Sequence, residues 1–536
     1  MLGIGFLGLI IVGYGVVDLI ASDLYFEEKL SLSYGMGVGF ISLFMFLMFY
    51  FKLLDSATQL IVLLFLIALI LFISNHLMRK STTAPSHLKS RTVSYKRFFM
   101  DRHYKLYLCL FPLFIVSVIF AYYYPITIYD GVDYELTGRL MAFKRAVEPE
   151  NYFRPYPPLI PVTYAFIYLL GGSYPKIIFP FFYLSLAVCF YFRLVHLGTH
   201  RRSSLIFTLV LATTPYVWWH SFLGILNLTA AYYFSIASFF WFFHLKDITH
   251  SHAQSRMNCS YPLLAGFFYS FSIFTRFEML AYVFIPVLLT AYYSLRYRLL
   301  KSVVYLTLPS LGSALLWYLF SSLRLFPPSE GFNFTISSGA MLISLLAFII
   351  SYVVVIHKGS DTFIALVDKF PFGVRSLVRV FGMGFVLFLV LYFFMPDERY
   401  HAFPLVSKAV LLLSTLATTT IAFLFGNIFY LATSLLIVFI PTVRQDIVGK
   451  EQGALGAFIL LYVMVNITMY SFFYFSLYAQ GSELAWHYEV AELVKTMVSH
   501  PGNLINDAQF RGLLPLYPIA IFFFAVTKKI HRAFEV

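Results

Sequence analysis

Apolar segments of about twenty residues follow one another along this chain, and they constrain its fold more than any other feature. The first three cover residues 2–20, 36–53 and 57–77. About 20 apolar residues are enough for a helix to cross the hydrocarbon core of a bilayer. A spanning segment must also satisfy its backbone polar groups internally, which a helix does. The pattern predicts an all-α polytopic integral membrane protein.

Further apolar segments bring the expected number of transmembrane helices to about 12–16. They lie at residues 106–124, 177–195, 204–218, 228–244, 261–275, 279–294, 302–320, 338–356, 380–395, 405–440, 453–478 and 512–527. The segment 405–440 is long enough for one or two helices. No basic residue precedes the first apolar run, so we expect residues 1–20 to remain as a helix instead of being cleaved as a signal peptide.

The composition agrees with a membrane location. Charged residues make up 12% of the chain and hydrophobic residues 60%, whereas soluble domains carry about 25% charged residues. These values exclude an ordinary soluble enzyme and a disordered chain. The net charge of +13 is expected from cytoplasmic loops rich in Lys and Arg and from contact with anionic membrane lipids, so we expect no nucleic-acid partner. The three cysteines form no disulfide or zinc pattern.

A strongly basic stretch, residues 78–105, gives the clearest sign of orientation. It contains eight Lys or Arg residues and one acid, which predicts a cytoplasmic linker by the positive-inside rule. The linker separates a predicted N-terminal three-helix membrane appendage, residues 1–77, from a membrane module at 106–300. Variable C-terminal membrane helices are expected over residues 301–536.

The loop at 125–157 is the longest polar stretch on the opposite, external side. Asp130, Asp133 and Glu135 lie within six residues of one another there. A carboxylate near the lipid boundary can act as a general base; the alternative is that these acids are ordinary solvated loop residues. Arg154 and the following prolines would fix the angle of the next segment. That segment, 159–170, is too short to span and is expected to be interfacial or re-entrant.

Four other charged positions and one histidine lie at the ends of apolar segments. Arg276 and Glu278 interrupt two of them, which indicates either a functional site or a hairpin tip at the interface. Arg399 and Arg511 each precede an apolar helix, where a guanidinium can bind a phosphate or serve as an anchor. His220 follows two tryptophans, a pattern more typical of an interfacial anchor than of a ligand.

Several of these segments together resemble a known family. The motifs are Tyr129-Asp130, Tyr156-Pro157-Pro158-Leu159-Ile160-Pro161, Tyr168-Leu-Leu-Gly-Gly172, Leu197-Gly198, Arg201-Arg202, Ala212-Thr-Thr-Pro215, Leu264-Ala-Gly266, Thr275-Arg276-Phe277-Glu278 and Arg511–Pro518. In their order and sidedness they resemble GT-C glycosyltransferases, within the bacterial branch related to protein O-mannosyltransferases and the lipid A aminoarabinose transferase. The late string has Gly512 where the family has Tyr. The resemblance covers residues 106–300 well, the rest loosely, and 1–100 hardly at all.

The resemblance implies a GT-C-like helical bundle with an external first loop carrying interfacial helices. The implied activity is transfer of a sugar, with inversion, from a polyprenyl-phosphate donor to a protein, lipid or glycan acceptor. The implied location is the bacterial inner membrane, with the active site facing the periplasm. The presumed base is Asp130, with Asp133 as the alternative.

The residues themselves and the resemblance together give the other candidate site residues. The candidates for the donor phosphate are Arg276, Arg399 and Arg511. The candidate substrate-binding residues are Glu135, Arg154, Tyr156, His220, Asn227 and Glu278. Many members have an acid where this chain has Asn227. An amide adds no negative charge to a metal site, so a divalent cation is doubtful and no other cofactor is expected.

Two other classes of function remain open from the sequence. A flippase or transporter of lipid-linked glycans would have ionisable residues deep inside its spans and an internal repeat. Asp18 and Lys408 are the nearest such residues, and both are expected near helix ends. A glycan polymerase or ligase would have its main external loop late in the chain, for which residues 482–511 are the candidate.

Overall fold

The chain is all-helical in the computed structural model, which describes residues 1–81, 103–126, 129–148, 156–250, 259–296, 301–322, 339, 342–352, 382–387, 389–390, 412, 450–481 and 512–526. These residues contain no β-strand. The helices are α1 Leu2–Ile20, α2 Phe26–Tyr50, α3 Ala57–Ser81, α4 Tyr104–Tyr123, α5 Tyr129–Lys144, α6 Leu159–Leu169, α7 Ile178–His196, α8 Arg201–Ala212, α9 Pro215–Trp219, α10 Asn227–His250, α11 Ser260–Thr275, α12 Met279–Arg296, α13 Lys301–Phe320, α14 Lys450–Gly481 and α15 Leu516–Ala525.

Seven helices in the described part of the chain are long and apolar enough to cross a membrane. They are α1, α2, α3, α4, α7 with the 3-10 turn that precedes it, α10 and α13. Shorter apolar helices accompany them, among them α6 and a helical segment at Leu342–Tyr352. The predicted all-α polytopic membrane fold is confirmed. Most of the predicted spans 380–395 and 405–440, the linker at 82–102 and the late loop at 482–511 lie outside the described residues.

Two predicted segments differ from the structure for identifiable reasons. Helix α2 begins at Phe26, ten residues before the predicted apolar run, because acidic side chains in its first turn favour a helix N-terminus and one of them, Glu28, is buried against Arg193. The predicted span 204–218 is two short helices. Pro215 starts the second one, since a proline disfavours a helical conformation in the residue before it.

Residues cluster into two compact units. Unit 1 comprises Met1–Trp241, Asn258–Met279 and Tyr305–Gly331. It therefore includes both the predicted appendage, residues 1–77, and most of the predicted module at 106–300. Within it, α1 and α2 approach closely at Gly13 and Gly37: a Cβ atom added at either glycine would overlap the backbone of the other helix. Small residues allow such close backbone approach between membrane helices.

Unit 2 comprises Phe242–Met257, Leu280–Val304 and Phe332–Val536. Its described core contains the rings of Tyr282 and Tyr462, which stack with centroids 4.1 Å apart. The Tyr462 hydroxyl donates a hydrogen bond to the Gly512 carbonyl, and the Asn466 amide donates one to the Tyr282 hydroxyl. These bonds connect α12, α14 and the residues that precede α15.

The segments that connect the helices of unit 1 lie at two opposite ends of α4 and α7. At one end, His103 at the start of α4 packs against Tyr191, and Tyr25 packs against His196. At the other end, Lys176 before α7 contacts Tyr124, the residue after α4. The residues flanking the basic segments thus lie at one end of α4 and α7, and those of the predicted external loop at the other.

Candidate functional site

Helix α5 carries the three acids of the predicted first loop. Asp130 lies in its first turn, where a negative charge favours the helix N-terminus. Successive residues of an α-helix are rotated by about 100°, so Asp130 and Asp133 share one edge of α5 while Glu135 lies on the opposite edge. Asp130 and Asp133 are partly exposed. A substrate can therefore approach this pair from one side of the helix.

The remaining two faces of α5 differ strongly in burial. Tyr134, Gly138 and Met141 are buried, and they follow the face that packs on α6. The opposite face exposes Val132, Leu136 and Phe143 to the surroundings, the last at 85%. An exposed apolar face next to polar edges is typical of a helix that lies in the membrane interface. The sequence predicts an interfacial position for residues 159–170, whereas the structure shows these features on α5.

Helix α6 is a short helix enclosed by protein. It has 11 residues, and Leu159–Ile167 are all buried. Its length agrees with the prediction that this segment does not span, while its burial shows that its surroundings are protein and not the membrane interface.

Close contacts fix α5 against α6 and against the loop before α10. A Cβ atom at Gly138 would lie 2.7 Å from that of Tyr164, and one at Gly131 would lie 3.3 Å from the Gly224 carbonyl oxygen. The Tyr164 hydroxyl donates a hydrogen bond of 2.9 Å to the same carbonyl. Gly224 has φ of +81°, a conformation that glycine adopts at little cost. The helix start that bears Asp130 therefore lies beside Gly224.

The loop that contains Gly224 leads directly to Asn227, the first residue of α10. The Asn227 Oδ1 atom accepts a hydrogen bond of 3.0 Å from the Arg276 guanidinium, and Glu278 Oε1 lies 3.4 Å from the same group. Asn227 is 2% and Arg276 4% exposed. The structure thus brings Asn227 together with Arg276 and Glu278, which follow it by about fifty residues in the sequence. These contacts hold the Arg276 charge in a fixed place.

Glu135 belongs to a separate network on the other edge of α5. Its Oε1 atom accepts hydrogen bonds of 2.7 Å from Arg139 and from the Tyr168 hydroxyl. Arg139 also donates one of 3.2 Å to that hydroxyl. Burial, together with the neighbouring Glu135, raises the pKa of Tyr168 to about 12, so the hydroxyl stays protonated near neutral pH. This network connects α5 to α6.

The other predicted site residues have varied surroundings. Tyr156 is half-buried with its ring 6.0 Å from that of Tyr134. His220 is buried, with Nδ1 2.8 Å from the Tyr216 carbonyl oxygen and its ring against Tyr216. Arg154, Arg399 and Arg511 lie outside the described residues.

Lys176 is a residue that the sequence reasoning missed. It is 6% exposed, donates a hydrogen bond to the Tyr124 carbonyl and lies against Gly224. One signal could have identified it. A lysine directly before the apolar run 177–195, at the end opposite the basic loops, is unusual under the positive-inside rule.

The described part of the chain contains no group of three or more His, Cys, Asp or Glu side chains arranged to hold a metal ion. What the residues of this end of unit 1 offer is a partly exposed carboxylate edge on α5, a fixed guanidinium beside Asn227 and a buried ammonium at Lys176. A carboxylate can accept a proton, and the two cations can stabilise negative charge.

Comparisons with known proteins give one similarity. No protein-family model matches the sequence, and no curated protein matches it. Among solved structures, the chain is similar to the archaeal oligosaccharyltransferase AglB from Archaeoglobus fulgidus, solved in complex with an inhibitory peptide and a dolichol-phosphate. The TM-score is 0.31 and the identity 11%, over 79% of this chain and 56% of that protein. The chain thus spans little more than half of AglB, and similarity at this level does not establish a shared function.

Proposed function

We propose that this protein is a membrane glycosyltransferase that moves a sugar from a polyprenyl-phosphate donor to an acceptor, with inversion. The observation that carries the proposal is the contact between the acid-bearing start of α5 and the loop from Gly224 to Asn227, where Arg276 is hydrogen-bonded. Three segments that are far apart in the sequence meet at one end of the helices. That end faces the outside in our proposal, because the basic loops lie at the other.

Asp130 acts as the general base in this mechanism, and Asp133 is the alternative on the same edge. The carboxylate removes the proton from an acceptor hydroxyl or amine. The acceptor atom forms a bond to the anomeric carbon of the sugar, while the bond from that carbon to the phosphate oxygen breaks. The polyprenyl phosphate leaves with the bonding electrons, and a fixed cation stabilises its charge.

Arg276 supplies a fixed positive charge in the same region. Its hydrogen bond to Asn227 and its ion pair with Glu278 hold the guanidinium in place, so little reorganisation is needed when negative charge develops. An apolar exposed face on α5 suits a donor whose lipid tail stays in the membrane. Arg154, Arg399 and Arg511 remain sequence-based candidates in the same proposal.

The test is release of polyprenyl phosphate from synthetic donors by the purified protein. Geranylgeranyl phosphates carrying mannose, glucose, galactose or a pentose are incubated with wild type and with Asp130→Asn, and product is measured by mass spectrometry. Loss of a general base reduces the rate by about 10²–10⁴-fold, which is the expected result for Asp130→Asn. Asp55→Asn, an exposed acid, is the control and should retain activity. Full activity in both Asp130→Asn and Asp133→Asn would overturn the mechanism.

A further inference from the structure

Lys176 differs from the other buried basic residues of the described chain. Those other residues are Lys29, Arg193 and Arg276. Lys29 pairs with Asp18 at 2.7 Å, Arg193 with Glu28, and Arg276 with Glu278 at 3.4 Å. Lys176 has no carboxylate within ion-pair distance in the part of the chain that the structure describes. Its ammonium is therefore buried without a direct ion pair.

The contacts that Lys176 does make leave its hydrogen-bonding capacity incomplete. An ammonium has three N–H donors, and the described residues provide one acceptor, the Tyr124 carbonyl. The Tyr124 ring lies 5.7 Å away and gives a further cation–π contact. The charge of Glu135 is near enough to act on Lys176, but its Oε1 atom already accepts bonds from Arg139 and Tyr168. Burying a charge is costly unless it is paired, so an anion bound here would be strongly favoured.

The surface next to Lys176 indicates the depth at which such an anion would lie. Tyr122 and Tyr174, two residues from Tyr124 and Lys176, are about half exposed. Their ring centroids are 4.3 Å apart. Exposed tyrosines at the end of an apolar helix are typical of the headgroup level of a bilayer. That is the level at which a membrane lipid carries its phosphate.

Lys176 also lies close to the proposed catalytic helix. A Cβ atom at Gly224 would be 2.7 Å from the Lys176 side chain, so the loop backbone encloses the stem of the lysine. The carbonyl of the same glycine faces Gly131, the neighbour of Asp130. A phosphate on Lys176 and a sugar extending towards α5 would thus be adjacent.

We propose that Lys176 binds the phosphate group of a lipid, and, in an inference that rests on the proposed function, that this lipid is the polyprenyl-phosphate donor. Arg276 is already paired with Glu278, whereas the ammonium of Lys176 has no carboxylate at ion-pair distance among the described residues. The two residues then have different roles: Lys176 contacts the phosphate, and Arg276 provides a fixed charge beside Asn227.

The test measures binding of geranylgeranyl phosphate and of geranylgeraniol to the purified full chain in detergent. Wild type should prefer the phosphate, and Lys176→Gln should weaken its binding at least tenfold while geranylgeraniol binding stays unchanged. Because geranylgeraniol has the same isoprenoid chain and no phosphate, its unchanged binding shows that the variant is folded. Lys176→Met retains the unbranched shape of the lysine stem without its charge, and it replaces the glutamine variant in this test if that variant does not fold. The control is Lys144→Gln, a lysine in a partly exposed ion pair with Glu148, which should bind like wild type.

Dioleoyl phosphatidate and inorganic phosphate distinguish the sources of the phosphate. Geranylgeranyl phosphate binding without phosphatidate binding supports the isoprenoid donor. Equal, Lys176-dependent binding of both lipids, or of inorganic phosphate, supports the phosphate site and overturns its assignment to the donor. A wild type with no preference for the phosphate contradicts the proposed function as well. A wild-type preference that persists in Lys176→Gln and Lys176→Met overturns the Lys176 inference alone.

Discussion

The Arg193 guanidinium forms an ion pair with the carboxylate of Glu28, which lies 165 residues earlier in the chain, and both side chains are completely buried. Arg193 also lies over the ring of Phe240, at 4.6 Å, and near that of Tyr261. Glu28 is in the first turn of α2 and Arg193 in the last turn of α7. The pair therefore fastens the N-terminal helices to the helices that carry the candidate site.

Removing one member of this pair should destabilise the protein strongly. Glu28→Gln removes the carboxylate that pairs with the buried Arg193 charge, and losing one member of a buried pair costs about 3–5 kcal/mol. The measurement is the thermal denaturation midpoint of the purified protein in detergent. Glu148→Gln breaks a partly exposed pair with Lys144 and should cost about 1 kcal/mol or less. Equal midpoints for the two variants would show that the buried pair contributes little.

The close approach of α1 and α2 gives a second prediction about stability. Gly37→Ala would place a methyl group against the Leu9 carbonyl, so the two helices must separate. Overpacking of this kind costs about 1–3 kcal/mol. Gly3→Ala is the matched control, because no atom lies within 4 Å of its added Cβ. A denaturation midpoint for Gly37→Ala that equals that of Gly3→Ala would contradict the packing.

The sequence predicts the apolar helices well and the polar contacts poorly. Hydropathy alone places α1 and α7 to within two residues, because the thickness of a bilayer sets the length of such segments. Hydropathy misses the first ten residues of α2, because Glu28 is buried there through its pairing with Arg193, 165 residues later in the chain. No local pattern contains that information.

The candidate site shows the same division. The sequence identifies the acids of α5 and the Arg276 turn by their types and places, but not the helix that carries the acids. The buried positions of α5 include Gly131 and Gly138, so its apolar periodicity is weak. Lys176 is missed because its significance depends on the lack of an ion-pair partner, which only the packing of the described residues reveals.

The network around Glu135 should hold α5 in position without taking part in chemistry. Tyr168→Phe removes one of the two donors to Glu135 Oε1, so we expect faster amide hydrogen exchange in residues 129–144 and about a 3–10-fold lower rate of transfer, because a small displacement of a catalytic group lowers the rate. Geranylgeranyl phosphate binding should be unchanged. Tyr123→Phe, at a ring that is 77% exposed, should match wild type in all three measurements. A loss of phosphate binding in Tyr168→Phe would instead place Tyr168 at the donor.

The Asn227–Arg276 hydrogen bond predicts how transfer responds to removal of divalent cations. An amide oxygen carries no formal charge, and the guanidinium that donates to it at 3.0 Å would repel a cation at that position. We therefore expect EDTA to leave the rate of wild-type transfer within about twofold of its untreated value. Asn227→Asp should keep the hydrogen bond and the thermal stability, because a carboxylate accepts from Arg276 at least as well. Asn227→Leu, which cannot accept, should lower the denaturation midpoint. Loss of wild-type activity in EDTA, restored by added Mg²⁺ or Mn²⁺, would contradict the expected metal independence and indicate that a cation is held away from Asn227, by acids such as Asp130 and Asp133.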